Sequence, residues 1–453
     1  MFHDPDFMPF TPRARPSVRG AASNIIENWP PEAYRDGHAI MGGIWPVLPE
    51  TLLLTDPALI EEVLVTRAEK FVRDRFRSRA LSNMLNRESL FFAEGANWRW
   101  QRRAVAPAFR HESLFALVPT FARCAKAQAE EWRRAGSGAV MDVAPAMSKV
   151  TFAIILEAVL GQGAEALNQG NFLAALTPTL STISWRYLYA RMGLPEGVPF
   201  PGSRKLAASV RWLYEATAQL VAHRRAKGGM SKDILALLLS AKDLETGRAM
   251  SDDELISNLS TFMVAGHETS ATALAWTLWL LAKDQATQER LRSEIEAVIG
   301  KREIAPEDIE RLTFARQVLQ ESMRLFPPST GVLRAPSEDI TIGPHKIRRG
   351  EPVILAIWCM HRHERLWEEP NGFDPNRFTP ERAKARHRCS YLPFGAGPRI
   401  CIGASFAMLE MAVLLATLVR GFRFKTKPGH RVALATNLTL RAKNGLPLSI
   451  EPM

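Results

Sequence analysis

Apolar residues recur at helical spacing along most of the chain, with only short stretches that alternate like strands. This pattern predicts a mainly α protein, a helix-rich single domain over residues 1–453 with a small β region. The predicted helices cover residues 57–65, 119–134, 147–160, 211–226, 251–282, 287–299 and 306–325. The predicted strands cover residues 45–54, 340–347, 352–358 and 422–425.

The longest predicted helix has a clear start. Ser251 followed by Glu254 forms a capping box, and the two aspartates between them favour the positive end of the helix dipole. A helix of roughly 30 residues is about 45 Å long, enough to cross the whole molecule. Because it is apolar on most sides, we expect this helix at the centre of the fold.

Composition is that of a soluble globular protein, with 46% hydrophobic and 23% charged residues. The formal net charge is +11, but the basic residues are scattered and no aromatic-interleaved basic module is present. Nucleic-acid binding is therefore not expected. A positive face would instead steer an acidic partner protein, although a solvated surface explains individual lysines and arginines equally well.

Neither the N-terminal residues nor the most apolar stretch of the chain predicts a membrane protein. Residues 1–6 carry charges and a proline where an anchor needs an apolar run, so no membrane anchor is expected. The most membrane-like stretch, residues 262–282, contains His267 and Glu268 and is typical of a buried helix. The four cysteines form no Cys-x-x-Cys pair, which predicts neither disulfides nor zinc and fits the cytoplasm.

One of these cysteines, Cys401, lies in the segment of residues 394–403, which is rich in glycine and has Arg399 two residues before the sulfur. An apolar helix is predicted directly after it. A thiol at a helix N-terminus has a lowered pKa. A lone cysteine is usually a small hydrophobic residue. A single sulfur with no Cys or His nearby in sequence nevertheless suits haem iron better than zinc.

The segment matches Phe-x-x-Gly-x-Arg-x-Cys-x-Gly at every fixed position, and there the chain resembles the cytochrome P-450 haem-thiolate monooxygenases. The resemblance implies the P-450 fold, with haem b held between the long central helix and the helix after Cys401. It implies Cys401 as the axial ligand, Arg399 on a haem propionate, and Phe394 and Gly403 packed around the sulfur. Anchored members carry an N-terminal helix, so the chain is similar to the soluble bacterial type.

Residues 265–270 interrupt the long helix, because Gly266 costs about 1 kcal/mol there and Glu268 is expensive to bury. Alone, the segment would indicate a kink with a solvated glutamate. Beside the cysteine motif, it resembles the oxygen-binding groove of the family. The resemblance implies that Ala265 and Gly266 leave room for O2. Thr269 and Glu268 would deliver protons to it, which favours monooxygenation.

Glu321 and Arg324 are one helical turn apart, and such a pair on an exposed face contributes only a few tenths of a kcal/mol. The pair also resembles the Glu-x-x-Arg motif of the family. That motif is joined by a later arginine, here Arg377. The resemblance implies a buried structural triad that supports the haem loop.

Trp98 and Arg102 share a helix face and resemble the family's Trp-x-x-x-Arg motif, which reaches a propionate. A plain basic amphipathic helix is the alternative. Arg334, after a double proline, is a further propionate candidate by position. Arginine suits this role because it binds carboxylates through two parallel hydrogen bonds.

The resemblance also implies a substrate pocket and a mobile roof. The roof would be residues 172–201, which include Trp185, Tyr187 and Tyr189. Such a pocket is apolar, so the expected substrate is a hydrophobic small molecule; fatty acids, terpenoids and small aromatics are not distinguished. The candidate pocket residues are Leu90, Phe91, Phe262, Val332, Leu333 and Leu438.

No flavin or iron–sulfur module is recognisable in the chain. Electrons are therefore expected from a separate ferredoxin or flavodoxin-type donor, with its reductase, that docks near Arg102, Arg103 and the cysteine segment. Two alternatives remain: a peroxide-driven peroxygenase on the same scaffold and a non-catalytic haem sensor or carrier. A helical scaffold without haem would not explain several motifs in the right order.

Overall fold

The computed structural model describes residues 24–43, 50–85, 87–161, 169–227, 233–243, 246–436 and 438–453. The expectations for residues 1–6 and 45–49 lie outside these ranges. Helices dominate, in agreement with the periodicity. In chain order they are α1 Pro57–Glu61, α2 Arg75–Leu85, α3 Gly95–Val105, α4 His111–Phe115, α5 Val118–Arg134, α6 Val143–Leu160, α7 Gln169–Ser181, α8 Ile183–Arg191, α9 Ser203–Lys227, α10 Ile234–Ser240, α11 Asp252–Lys283, α12 Gln285–Val298, α13 Pro306–Arg311, α14 Thr313–Leu325, α15 Ile357–Met360, α16 Pro380–Lys384 and α17 Ala404–Gly421.

The strands are short and form small sheets. The largest sheet has the order β1-β2-β8-β5-β3, and a second has the order β4-β12-β9. Two hairpins, β6-β7 and β10-β11, complete the β region. The strands are β1 His38–Met41, β2 Thr51–Leu54, β3 Phe71–Arg73, β4 Ala139–Asp142, β5 Val332–Pro336, β6 Ile340–Ile342, β7 His345–Ile347, β8 Val353–Leu355, β9 Phe422–Thr426, β10 Leu434–Thr436, β11 Leu440–Ala442 and β12 Pro447–Pro452.

Helix α11 occupies the centre, as its length and apolar surface predict. The capping box is present, with the Glu254 N–H donating to the Ser251 hydroxyl over 3.2 Å and the Ser251 N–H donating to the Glu254 carboxylate over 3.0 Å. The helix packs along α6 and also contacts α9, α14 and α17. Trp276 stacks on Phe326 with ring centroids 4.0 Å apart, which fixes the C-terminal half of α11 against the end of α14.

Three predicted elements differ in detail. The predicted helix 306–325 is broken at Leu312, whose ψ of 64° ends α13 before α14 begins. The strand predicted over 352–358 ends at Leu355 and turns into α15. Residues 340–347 form a hairpin rather than one strand, with Gly343 at a φ of +52° in the turn.

Two helices in the described ranges, Val143–Leu160 and Ala404–Gly421, are long and apolar enough to cross a membrane. Most of each lies buried inside the protein, so both belong to the core. Helix α11 is likewise buried, as expected for the stretch 262–282.

Candidate active site

The segment before Cys401 folds into a tight loop that packs against the backbone of Leu64. Gly397 has a φ of +70°, and a Cβ there would lie 1.8 Å from the carbonyl oxygen of Leu64, so only glycine fits. The Cys401 N–H donates to the Phe394 carbonyl over 3.0 Å. Gly403 is the N-cap of α17, which places the sulfur at the beginning of that helix as predicted.

The electrostatics of Cys401 differ from the expectation of a lowered pKa. Burial of the sulfur among protein atoms raises the pKa of the thiol, although the residue as a whole is exposed. The Gly403 N–H and the charge of Arg102 act in the predicted direction and lower the pKa, but burial is the larger effect. The protein alone therefore favours the thiol form.

Arg399 joins the cysteine loop to α3. Its Cζ lies 4.3 Å from the centroid of the Trp98 ring, and its Nη1 donates to the Ala93 carbonyl over 2.9 Å. It also forms an ion pair with Glu94. The structure thus brings together Trp98, Arg102, Arg399 and Cys401, which the sequence places in two segments some 300 residues apart.

Arg334 faces a second arginine that the sequence analysis missed. Arg73 on β3 is paired directly with Arg334 on β5. Burial lowers the pKa of Arg73 to about 9 and that of Arg334 to about 10, and Arg399 lowers both further by repulsion. The Nε of Arg73 is buried and has no hydrogen-bond partner among the described residues. Only strand pairing could have revealed Arg73, because no motif marks it.

These arginines belong to a cationic cluster of four residues, Arg73, Arg102, Arg334 and Arg399. The carboxylate of Glu94 attracts Arg73, Arg334 and Arg399 and raises the pKa of each, against the effect of burial. Clustered cations of this kind are costly unless anionic groups pair with them. The cluster lies beside Cys401, since Arg102 acts electrostatically on both Arg399 and the sulfur. The arrangement suits a dianionic ligand held next to the thiol.

Helix α11 is accessible along one strip in its middle. Ala265 is exposed, and Gly266 and Thr269 are half-buried, whereas residues 261–264 are buried. The Thr269 hydroxyl donates to the Ala265 carbonyl over 2.8 Å. Residues 265–270 lie within one continuous helix. Gly266 was expected to leave room for O2. In the structure its missing side chain instead makes room for Ile155 on α6, because a Cβ at Gly266 would lie 2.9 Å from the Ile155 side chain.

Glu268 is buried and firmly held rather than solvated. Its Oε1 accepts hydrogen bonds from the Thr439 hydroxyl over 2.6 Å and from Arg441 Nε over 2.6 Å. Arg441 is partly exposed, so it connects the buried carboxylate to the surface. Nothing in the local sequence points to Thr439 or Arg441, which come from the β10-β11 hairpin region some 170 residues later.

The expected triad is present and fully buried. Arg324 binds Glu321 through two hydrogen bonds of 2.7 Å, and Arg377 Nε lies 3.4 Å from the same carboxylate. Arg324 also donates to the carbonyls of His361, Pro370 and Gly372. The triad therefore fixes the loop segment that precedes Phe394 onto α14.

The candidate pocket residues do not all lie together. Phe262, Leu333, Leu438, Leu90 and Phe91 belong to the main apolar core or pack against it. Val332 instead packs with the smaller core beneath the five-stranded sheet. Neighbouring residues of a strand point to opposite faces, so Val332 and Leu333 cannot line one pocket.

Two of these residues have contacts that define their place. The Phe91 ring lies 4.1 Å from the Cζ of Arg73, next to the cationic cluster. The Phe262 ring lies 6.1 Å from that of Phe109, which in turn faces Phe406 of α17. Ring contacts through Phe109 therefore connect the long helix to the helix that follows Cys401.

Comparison with known proteins decides the family. The sequence model of the family "Cytochrome P450" matches residues 38–447. The chain belongs to the cytochrome P450 family. It is 31% identical to the cytokinin hydroxylase of Arabidopsis thaliana, over 90% of this chain and 81% of that protein. It is 29% identical to the ultra-long-chain fatty acid omega-hydroxylase of Homo sapiens, over 92% of this chain and 82% of that protein.

Solved structures agree with the fold. The cytochrome P450DA heme domain superposes with a TM-score of 0.81 at 25% identity, covering 92% of this chain and 90% of that one. Cytochrome P450 enzymes are haem b monooxygenases with an axial cysteine thiolate. Cys401 is the cysteine of this chain that occupies the matching motif.

The residues of this cytochrome P450 fit that cofactor. The sulfur is a soft ligand at a helix start, and the described residues offer it no neighbouring His or Cys that would complete a zinc site. The clustered arginines and the unpartnered Nε of Arg73 suit two propionates. The accessible strip of α11 supplies small side chains and one hydroxyl.

Proposed function

We propose that this cytochrome P450 monooxygenase hydroxylates an apolar small molecule in the cytoplasm, with electrons from a separate ferredoxin or flavodoxin-type protein. The reaction is R–H + O2 + 2e⁻ + 2H⁺ → R–OH + H2O. The observation that carries the proposal is the accessible strip of α11, where Thr269 stands beside the buried Glu268. That acid–alcohol pair is what delivery of two protons to oxygen requires.

Bound haem supplies the iron at which O2 is reduced, and the protein holds it. Cys401 provides the thiolate ligand. Arg73, Arg102, Arg334 and Arg399 would bind the propionates, and Trp98 would keep Arg399 in place through their stacking at 4.3 Å. Pairing with the propionates would offset the burial, and the smaller mutual repulsion, that lower the pKa of Arg73 and of Arg334.

Proton delivery would depend on two side chains of α11. The Thr269 hydroxyl now donates to the Ala265 carbonyl, a local bond whose net contribution is only about 1 kcal/mol. Rotation of the hydroxyl would therefore redirect its proton at little cost. Glu268 would be reprotonated by solvent water, while Arg441, whose side chain is 44% exposed, holds the carboxylate in place as a donor only.

The substrate wall is apolar where the described residues define it. Leu90 and Phe262 are buried in the core, and Leu333 and Leu438 pack against it. Such a wall favours a hydrophobic substrate and excludes water from the reacting carbon. The four cysteines are all free thiols, which supports a reducing compartment.

The electron donor would dock on the cysteine side of the molecule. There an open depression of about 470 Å³ is lined mainly by apolar residues of α4, α14 and α17, among them Leu114, Met323 and Met408. Phe394 and Ala404, on either side of Cys401 in sequence, also line it. Arg103 is exposed and follows Arg102 directly in sequence. Charge reversal at Arg103 should therefore slow reduction at low salt.

The test is turnover of the haem-loaded protein under ¹⁸O2 with a ferredoxin, its reductase and a library of apolar compounds. We expect one labelled oxygen atom in the product and a red-shifted carbon monoxide adduct typical of thiolate ligation. Product formed with peroxide but never with reductant and O2 would instead identify a peroxygenase. An adduct without the thiolate spectrum would overturn the proposal.

A further inference from the structure

Arg186 is a buried arginine in the helix that was expected to roof the pocket. It lies on α8, on the same helix face as Ile183 and Ala190, and that face is buried. Helix α8 packs against α2. The Arg186 residue is only 6% exposed, although arginine is almost never buried without a partner.

The two terminal nitrogens of the Arg186 guanidinium are buried without a partner among the described residues. Neither Nη1 nor Nη2 makes a hydrogen bond. Burial lowers the pKa of Arg186 to about 10, so the group is still charged at neutral pH. A buried charge without a counter-ion is destabilising, and it therefore favours the binding of an anion.

The acid that acts on Arg186 is already engaged elsewhere. Glu196 raises the pKa of Arg186 by attraction, but its carboxylate lies 2.6 Å from Arg87 and 3.6 Å from Arg79. Glu196 is also 45% exposed, so solvent screens its field. The charge of Arg186 thus remains largely uncompensated.

The interface of α2 and α8 is cationic as a whole. Arg77 is half-buried there, and the charges of Tyr187 and Asp74 raise its pKa against burial. Arg191 acts on the same aspartate. Including Arg79 and Arg186, the interface holds four arginines against Asp74 and Glu196. An anionic group between these helices would gain from all four.

Arg186 is separate from the propionate cluster. Arg73 and Arg334 are influenced by Arg399 and Glu94, whereas the charge that acts on Arg186 is that of Glu196. A haem propionate is therefore not its expected partner. Helix α2 leads along the chain to Leu90 and contacts α11, so the interface borders the distal side of the site.

We infer that the interface of α2 and α8 binds the carboxylate of an amphipathic substrate, with Arg186 as its hydrogen-bonding partner. The inference rests on the proposed function and adds the substrate class to it. The substrate carries a carboxylate at one end, which pairs with the planar guanidinium through two parallel bonds. Its apolar part extends to the pocket lined by Leu333 and Phe262.

The test uses the haem-loaded protein and a matched pair of probes, dodecanoate and methyl dodecanoate. Binding is followed by the low-spin to high-spin shift of the iron, which requires no turnover. We expect Arg186→Gln to weaken dodecanoate binding by about tenfold to a hundredfold, the range for losing a charge-assisted hydrogen bond. Binding of the ester should change less than twofold. Arg204→Gln removes an exposed arginine from α9 and serves as the control for net charge.

A second measurement, the melting temperature, tests whether an Arg186 variant is still folded. Because Arg186 is unpaired, Arg186→Met should melt at the same temperature as wild type or higher without ligand. It should also lose the upward shift in melting temperature that dodecanoate gives the wild-type protein. Arg204→Gln should keep that shift.

Equal binding of dodecanoate by wild type and Arg186→Gln would overturn the inference. So would an equal loss of dodecanoate and ester, which would show a packing role, or easier loss of haem in Arg186→Gln, which would show a propionate contact. Absence of any binding across saturated fatty acids from octanoate to octadecanoate would also overturn it. A normal thiolate spectrum and labelled product in those cases would leave the proposed function intact.

Discussion

Arg441 holds the carboxylate of Glu268, with Nε 2.6 Å from Oε1, although the two residues are 173 positions apart in the chain. Glu268 lies in the middle of the central helix and is buried, whereas Arg441 is on β11 and partly exposed. The acid of the proposed proton delivery is therefore oriented by strand β11. This relationship makes proton delivery depend on two distant segments.

Glu268→Gln should remove the acid and keep the shape of the site. We expect product formation to fall by about a hundredfold, within the range for a general acid, while reduced oxygen species accumulate in place of product. Arg441→Gln should cause a smaller decrease, because the acid remains and keeps its hydrogen bond from Thr439.

The measurement is product formed per electron pair consumed, with solvent deuterium to test for a proton-limited step. Glu296→Gln, an exposed glutamate on α12, is the control and should behave as wild type. Tight coupling in Glu268→Gln would assign proton delivery to another group.

Arg73→Gln should weaken haem retention. Its buried Nε lacks a partner among the described side chains, and one charge-assisted hydrogen bond contributes about 1.5–3 kcal/mol. We therefore expect haem transfer to apomyoglobin to become tenfold faster or more. Arg75→Gln, two residues later and exposed, should leave the rate unchanged. Equal rates for both variants would remove Arg73 from the propionate site.

Glu321→Gln should destabilise the fold far more than loss of an exposed ion pair. The change leaves Arg324 and Arg377 buried without their carboxylate, which costs about 3–5 kcal/mol. Glu131→Gln breaks an exposed pair with Lys149 and should cost less than about 0.5 kcal/mol. Urea unfolding followed by circular dichroism measures both. Similar losses would show that the triad is not a buried support.

The sequence predicted what is local and periodic. The central helix, its capping box and the helix after Cys401 follow from spacing and caps, and the structure contains all three. Motif resemblance also assigned Trp98, Arg399 and Cys401 to one site, and Arg399 lies 4.3 Å from the centroid of the Trp98 ring. The break at Leu312 was missed because apolar spacing continues across it.

What the sequence could not predict depends on long-range pairing. Arg73 meets Arg334 only because β3 pairs with β5, and no local pattern states that register. Val332 was placed in the pocket beside Leu333, although strand alternation separates them once β5 is known. The pKa of Cys401 was expected to fall because local dipoles are visible in sequence, whereas burial by distant segments is not.

Glu410 should give the stability of the protein a distinct pH dependence. It is fully buried on α17, and burial raises its pKa to about 8, with only the Ser270 hydroxyl opposing. An unfolded glutamate has a pKa of about 4.3. Between these values the native state keeps a proton that the unfolded state releases. The contribution of Glu410 to stability therefore falls with rising pH, by about 1.4 kcal/mol per unit, and levels off above the native pKa.

Glu410→Gln should remove this dependence. The difference in free energy of unfolding between variant and wild type should grow in favour of the variant from about pH 4.3 upward, and stay constant above about pH 8. Urea titrations at half-unit pH intervals measure it. Parallel curves for the two proteins would show that Glu410 is charged in the native state.

Gly397 rests against the carbonyl of Leu64, so the loop that carries the sulfur is shaped by a segment made more than 300 residues earlier. Arg441, later still, orients the acid of the oxygen groove. During synthesis on the ribosome, neither contact can form until the later residue of each pair has emerged. Haem capture should therefore wait until Arg441 has been made, and removal of residues 430–453 should yield protein that never matures.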